Sequence, residues 1–246
     1  MVTTTLNKSR NITQSPDYQK NGFLLIQNFL NTVKINCLEE QIMTAFQVDN
    51  FSALSDKICH LNKTDQGRLF EFNKLIGKNP LVTSCGAQLL ELINNDPKEL
   101  CAIHLGGGIL LGLPQDDRLT YSWHQECNYI PGFKYLYNAW IPLFNKSTKS
   151  NGTMSFLCGT HQRGKLNYTV VQKSNGYCDL ITDVKDIDVP SLEYHCYANP
   201  GDAFIFDQNL IHRSNYNAGD TVRFSITVRL GFVNDYAKVD DWKRFY

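Results

Sequence analysis

Three absences narrow what this 246-residue chain does. The first is an excess of charge. Lys and Arg number 24 and Asp and Glu number 24, for a net charge of zero. No basic footprint points to nucleic acid or to an anionic membrane surface. The second is paired cysteine. None of the eight cysteines stands in C-x-x-C spacing, which leaves neither a zinc ribbon nor a thiol redox motif. Free, mostly buried thiols in a reducing compartment are expected instead. The third is a long apolar run. Nothing is long enough to span a bilayer, and the start "MVTTTLNKSRN" has no apolar stretch of the kind a signal peptide needs. A cytoplasmic protein with a small-molecule substrate, no nucleic acid and no membrane partner is the expectation; oligomeric state is not legible. Internal repeats and low-complexity linkers are absent too, so residues 1–246 are expected to form one domain.

What is present is core. Hydrophobic residues make up 42% and charged residues 20% of the chain, a balance that favours a packed globule over disorder. Residues 14–100 carry helical grammar. Ser15 followed by Pro16 is a helix start. "GFLLIQNF" is a short strand. Asn31, or else Thr32, caps "TVKINCLEEQIMTAF", which places Val33, Ile35, Leu38, Ile42 and Phe46 at near-helical spacing. "DQGRLFEFNKLIG" and "PLVTSCGAQLLELI" are two more helices, read as scaffold. From about 101 to 235 short β-rich runs alternate with turn signals: "FKYLYNAWIPLF", "KSNGTMSFLCG", "YHCYANPGDAFIFD" and "NAGDTVRFSITVRLGF". Asn151-Gly152 suits a tight hairpin turn and Pro200-Gly201 a type II turn. The pattern predicts a mainly β sandwich or jelly-roll barrel with N-terminal helices packed outside it.

"YSWHQECNYIPG", residues 121–132, carries the chemistry. In an extended strand His124 and Glu126, at i and i+2, project to one face and can share a metal ion. A lone His-x-Glu is weak evidence. A third ligand must come from His60, His104, His161, His195 or His212. His212 stands at the end of "GDAFIFDQNLIH", a strand that starts from a tight turn. Two histidines and a carboxylate on one face of a metal leave open positions and suit non-haem iron(II) and oxygen chemistry. Downstream, Arg223, Ser225, Thr227 and Arg229 share one face of the last strand. Burying an unpaired guanidinium is unfavourable, so the row is either solvent-facing or built around a bound dicarboxylate, which arginine's planar fork matches.

The segments "WHQE", "NAWIPLFNKSTKSNGTMSFLCGTH" and "PGDAFIFDQNLIHRSNYNAGDTVRFS" resemble the phytanoyl-CoA dioxygenase family of iron(II)/2-oxoglutarate oxygenases, over about residues 105–232. The resemblance implies a double-stranded β-helix (jelly-roll, cupin-like) core. It implies that His124, Glu126 and His212 bind Fe(II), and that Arg223 and Ser214 hold the far carboxylate of 2-oxoglutarate. Gln125 and Trp140 fall where the family lines the cosubstrate pocket, and O2 is the oxidant. Glu126 departs from the family, which most often has Asp there. Two other readings remain from the residues alone: a metal-free sugar epimerase and a non-catalytic binding module on a similar barrel.

Overall fold

The computed structural model describes residues 11–93, 101–118, 120–173 and 178–233. The polar start at 1–10, and the stretches 94–100 and 234–235 that close the two expected halves, lie outside them. The N-terminal part contains α1 (Pro16–Asn21), β1 (Phe23–Ile26), α2 (Thr32–Phe46), α3 (Phe51–Thr64), α4 (Gln66–Gly77) and α5 (Pro80–Ile93). Then follow β2 (Cys101–Gly112), α6 (Glu126–Tyr129), β3 (Tyr135–Leu143), β4 (Met154–Leu157), β5 (Tyr168–Gln172) and β6 (Cys178–Thr182). The chain closes with α7 (Val189–Leu192), β7 (Glu193–His195), β8 (Ala203–Asp207), β9 (His212–Ser214) and β10 (Arg223–Val233).

Local chemistry sets the helix starts. The Ser15 hydroxyl accepts from the Tyr18 N–H ahead of Pro16. The Asn31 side chain accepts from the Val33 N–H at 2.7 Å, so Asn31 rather than Thr32 caps α2. Ile35, Leu38, Ile42 and Phe46 are buried, whereas Val33 is 74% exposed. Positions 35, 38, 42 and 46 follow the three-and-four spacing of one helical stripe, and 33 falls off it.

Two sheets follow. Five strands pair antiparallel in the order β1-β8-β3-β10-β2, and three more in the order β7-β4-β9. β5 and β6 form a separate two-stranded ribbon. The larger sheet has two apolar faces. Ile109, Ile141, Ile205, Phe224, Ile226 and Val228 pack against the helices with Leu38, Leu54, Ile58 and Leu89. Trp140, Phe204 and Phe206 face the smaller sheet and meet Met154 and Phe156. This is a jelly roll with helices layered on the outer face of its larger sheet. The alternation expected in the last strand holds, with Phe224, Ile226, Val228 and Leu230 toward the helices.

Three expectations change. Asn151-Gly152 does not make a tight hairpin turn: Gly152 alone has a left-handed backbone (φ 76°), and the strands on either side lie in different sheets. Gly201 does adopt the left-handed conformation that its turn requires (φ 85°). The thiols are not mostly buried. Among the described cysteines Cys85, Cys127 and Cys196 are buried, Cys59 and Cys158 are half-buried, and Cys37 and Cys178 are exposed. Among the described residues no helix is long and apolar enough to cross a membrane.

Candidate metal centre and cosubstrate cavity

His124 lies on the smaller sheet's edge beside β9. Its N–H donates to the His212 carbonyl at 2.8 Å and the His212 N–H returns the bond at 2.9 Å. The two imidazoles therefore face each other with ring centroids 4.0 Å apart. Each ring is oriented by the backbone. The Nδ1 of His124 lies 2.7 Å from the Ser122 carbonyl, and that of His212 lies 2.9 Å from the Leu210 carbonyl. A carbonyl can only accept, so Nδ1 carries the proton in both rings and both Nε2 lone pairs are free for a metal.

Glu126 completes the set, though not as a strand neighbour. His124 makes an isolated bridge to β9 rather than sitting in a strand, and Glu126 is the first residue of the one-turn helix α6. The turn still brings its carboxylate back: Glu126 Oε2 lies 3.6 Å from His212 Nε2. One ligand atom from each of His124, Glu126 and His212 lies within 4.8 Å of the others, and all three residues are buried. Burial, with His212 beside it, pushes the His124 imidazole down to about 3, so it is neutral at physiological pH. Burial alone would raise the Glu126 carboxyl. The Arg229 guanidinium beside it is the main opposing influence and holds the group below the usual carboxylate range. Two imidazoles and a carboxylate, clustered and buried, fit a divalent metal of the iron type.

The other histidines stand elsewhere. His60 is exposed on α3. His161 lies against the Gln19 carbonyl and His195 against the Ser155 hydroxyl. The side chain of His104 lies outside the described residues.

A cavity of about 330 Å³ lies near the triad without being lined by it; its wall includes Tyr121 and Ser214, which neighbour His124 and His212. Its walls also include Arg223, Trp140 and Met154. The Tyr121 ring is 5.7 Å from that of His124. Arg223 is buried, with its guanidinium over the Trp140 ring at 5.4 Å. One of its Nη1 hydrogens goes to the Ser225 hydroxyl at 3.1 Å, while Nε has no partner among the described residues. Burial lowers this guanidinium to about 10, which leaves it charged at neutral pH. A buried, charged arginine whose Nε bonds to nothing fits the carboxylate of a bound molecule. Gly112 makes room for it: a Cβ there would lie 2.9 Å from Arg223 Nη2.

Gln125 does not line this cavity, against expectation. Its amide is fully buried and consumed by backbone: it donates to the Gly164 and Asn209 carbonyls at 2.8 and 2.7 Å and accepts from the Leu166 N–H at 2.8 Å. Between His124 and Glu126 it points the other way and ties its own segment to the loops at Gly164–Leu166 and Asn209.

Three contributions had no signal in the sequence. Asp179, on β6, accepts from the Ser122 N–H at 3.1 Å and the Tyr129 hydroxyl at 3.3 Å, which steadies the segment that orients His124. Helix α4 is more than scaffold, since Gln66, Leu69 and Phe70 line the cavity. Arg229 donates from Nε to Glu126 Oε1 at 2.5 Å.

Fold and site together define an iron(II)- and 2-oxoglutarate-dependent oxygenase of the jelly-roll class. Residues 18–225 match the sequence pattern of the phytanoyl-CoA dioxygenase (PhyH) family, and the chain belongs to that family. A curated relative from Caenorhabditis elegans named "Probable phytanoyl-CoA dioxygenase" is 25% identical over 243 residues, 89% of this chain and 73% of the relative. Among solved structures, EvdO2 from Micromonospora carbonacea var. aurantiaca complexed with 2-oxoglutarate superposes with a TM-score of 0.63 at 15% identity, covering 96% of this chain and 95% of that one. EctD from S. alaskensis, with 2-oxoglutarate and 5-hydroxyectoine, gives 0.60 at 13% identity, covering 93% and 79%.

Proposed function

We propose that this oxygenase hydroxylates an unactivated C–H bond of a small molecule or carrier-linked metabolite. 2-Oxoglutarate, O2 and R–H give succinate, CO2 and R–OH. Iron(II) held by His124, Glu126 and His212 supplies the redox chemistry that couples the decarboxylation to oxygen insertion.

The protein's own residues bind, orient and exclude water. Arg223 forks onto the far carboxylate of 2-oxoglutarate, and Ser214, which shares the cavity wall, adds a hydroxyl. Trp140 walls the same end beneath the guanidinium. The observation that carries this reading is the buried Arg223, whose Nε has no partner among the described residues, in a cavity walled by Tyr121 and Ser214 next to the triad histidines. A metal-free epimerase or a non-catalytic binding module gives no shared reason for that arginine and the buried His124, Glu126 and His212 cluster near it.

The substrate is small and partly polar. On the inner sheet face beyond Arg223, Asn138 and Thr227 are buried with unpartnered side-chain polar atoms. Phe70, Leu69 and Leu110 give the cavity an apolar side. A succinate-release screen across acyl thioesters, amino acids and hydroxylated natural products, followed by mass detection of a product carrying one added oxygen atom, tests the reading. Succinate release with no oxygen in any product, under every stimulating compound, counts against hydroxylation.

A further inference from the structure

The two arginines of the inner row on β10 do different work. Arg223 faces the cavity, and Arg229, six residues on, faces Glu126. The pairing of β10 with β2 is irregular between Val228 and Leu230, at the residue that reaches across. The extra residue lies on β2, where two residues oppose Arg229, and β10 itself stays in register with β3 through Arg229. Arg229 lies across from Asn138 on β3, and neither amide atom of Asn138 is bonded. The guanidinium is thus not drawn toward its strand neighbour and spans to α6 instead.

The carboxylate it meets is divided. Oε1 receives the Arg229 Nε–H at 2.5 Å, and Oε2 is the oxygen 3.6 Å from His212 Nε2. Glutamate has one more side-chain torsion than aspartate, so a free Glu126 would sample more positions and offer either oxygen, or both. Resting on the metal-site reading above, we propose that Arg229 is a positioning residue for the metal centre. It commits Oε1 and leaves Oε2 turned to the histidines. It thereby removes the freedom that the extra methylene brings. Outer partners of ligating carboxylates commonly carry this role.

The test uses Co(II) as a spectroscopic stand-in for the native metal and the purified full-length chain. Titration into the metal-free protein, followed by visible absorption, gives affinity and band shape. Arg229→Gln is expected to weaken Co(II) binding by about 10- to 100-fold and to alter the spectrum. Arg229→Lys, which keeps a donor and a charge, recovers part of the affinity and serves if Arg229→Gln does not fold. In a Glu126→Asp background, loss of Arg229 matters less, because the shorter side chain lacks the freedom that Arg229 restrains. Wild-type affinity and spectrum in both Arg229 variants, or an equal loss in the Glu126→Asp background, overturns the inference alone. A wild-type protein that binds no Co(II) overturns the metal-site reading and this inference with it.

Discussion

His124 and His212 exchange both backbone hydrogen bonds across the smaller sheet's edge, and each Nδ1 faces a carbonyl. The backbone itself therefore fixes the orientation of both rings. Adding Fe(II) or Co(II) at about one hundred times the dissociation constant is expected to stabilise the protein by roughly 2.7 kcal/mol. That corresponds to a Tm rise of about 5–10 °C for a chain of this size. Thermal unfolding with and without metal reads it, and a chelator reverses it. His212→Ala abolishes the shift; an undiminished shift in that variant removes His212 from the site.

Arg223 is buried, and its Nε has no partner among the described residues. Arg223→Leu is expected to weaken 2-oxoglutarate binding by about 10- to 150-fold, from the loss of a charge-assisted bond of about 1.5–3 kcal/mol. The same change leaves the Tm of the ligand-free protein level or higher, because an apolar side chain replaces an incompletely paired buried charge. Calorimetric titration beside a melting curve measures both. A larger loss of cosubstrate affinity in Arg229→Leu would reverse the assignment.

Gly112 keeps the Arg223 pocket open. A Cβ there meets Arg223 at Nη2, Nε and Cζ, at 2.9, 3.1 and 3.2 Å. Gly112→Val pushes the guanidinium aside, so KM for 2-oxoglutarate rises by about tenfold or more, given that errors near 1 Å in a site carry large penalties. Metal affinity stays at the wild-type value. Steady-state kinetics with 2-oxoglutarate varied checks it, and an unchanged KM contradicts it.

Gln125→Leu separates support from chemistry. The Gly164 and Asn209 carbonyls and the Leu166 N–H all lose their partner. Destabilisation of about 2–4 kcal/mol is expected in urea unfolding. The folded fraction keeps its 2-oxoglutarate affinity. A variant with wild-type stability but weakened cosubstrate binding would return Gln125 to the cavity wall.

The barrel and the helices outside it were legible because periodicity records which face of an element is buried. Phe224, Ile226 and Val228 alternate with Arg223, Ser225 and Thr227 whatever the surroundings. The pairing of Arg229 with Glu126 was not legible, since it depends on one helical turn at Glu126 that sequence spacing does not encode. Gln125 misled for a related reason. A residue flanked by two metal-facing side chains reads as part of the site, yet its neighbours' convergence sends it to the opposite side. Asp179 lies more than fifty positions from the histidine it steadies, and one aspartate in a β-rich run carries no mark of that distant contact. Helix α4 looked like scaffold because Phe70 and Gln66 fit an ordinary amphipathic pattern, and only packing against β2 places them on a cavity.

The most direct measurement is the visible spectrum under anaerobic conditions with Fe(II) and 2-oxoglutarate together. A metal-to-ligand charge-transfer band is expected in the wild-type protein, lost in His212→Ala and displaced to much higher 2-oxoglutarate concentration in Arg223→Leu. A folded wild-type protein that gives no band at saturating Fe(II) and 2-oxoglutarate would contradict the account.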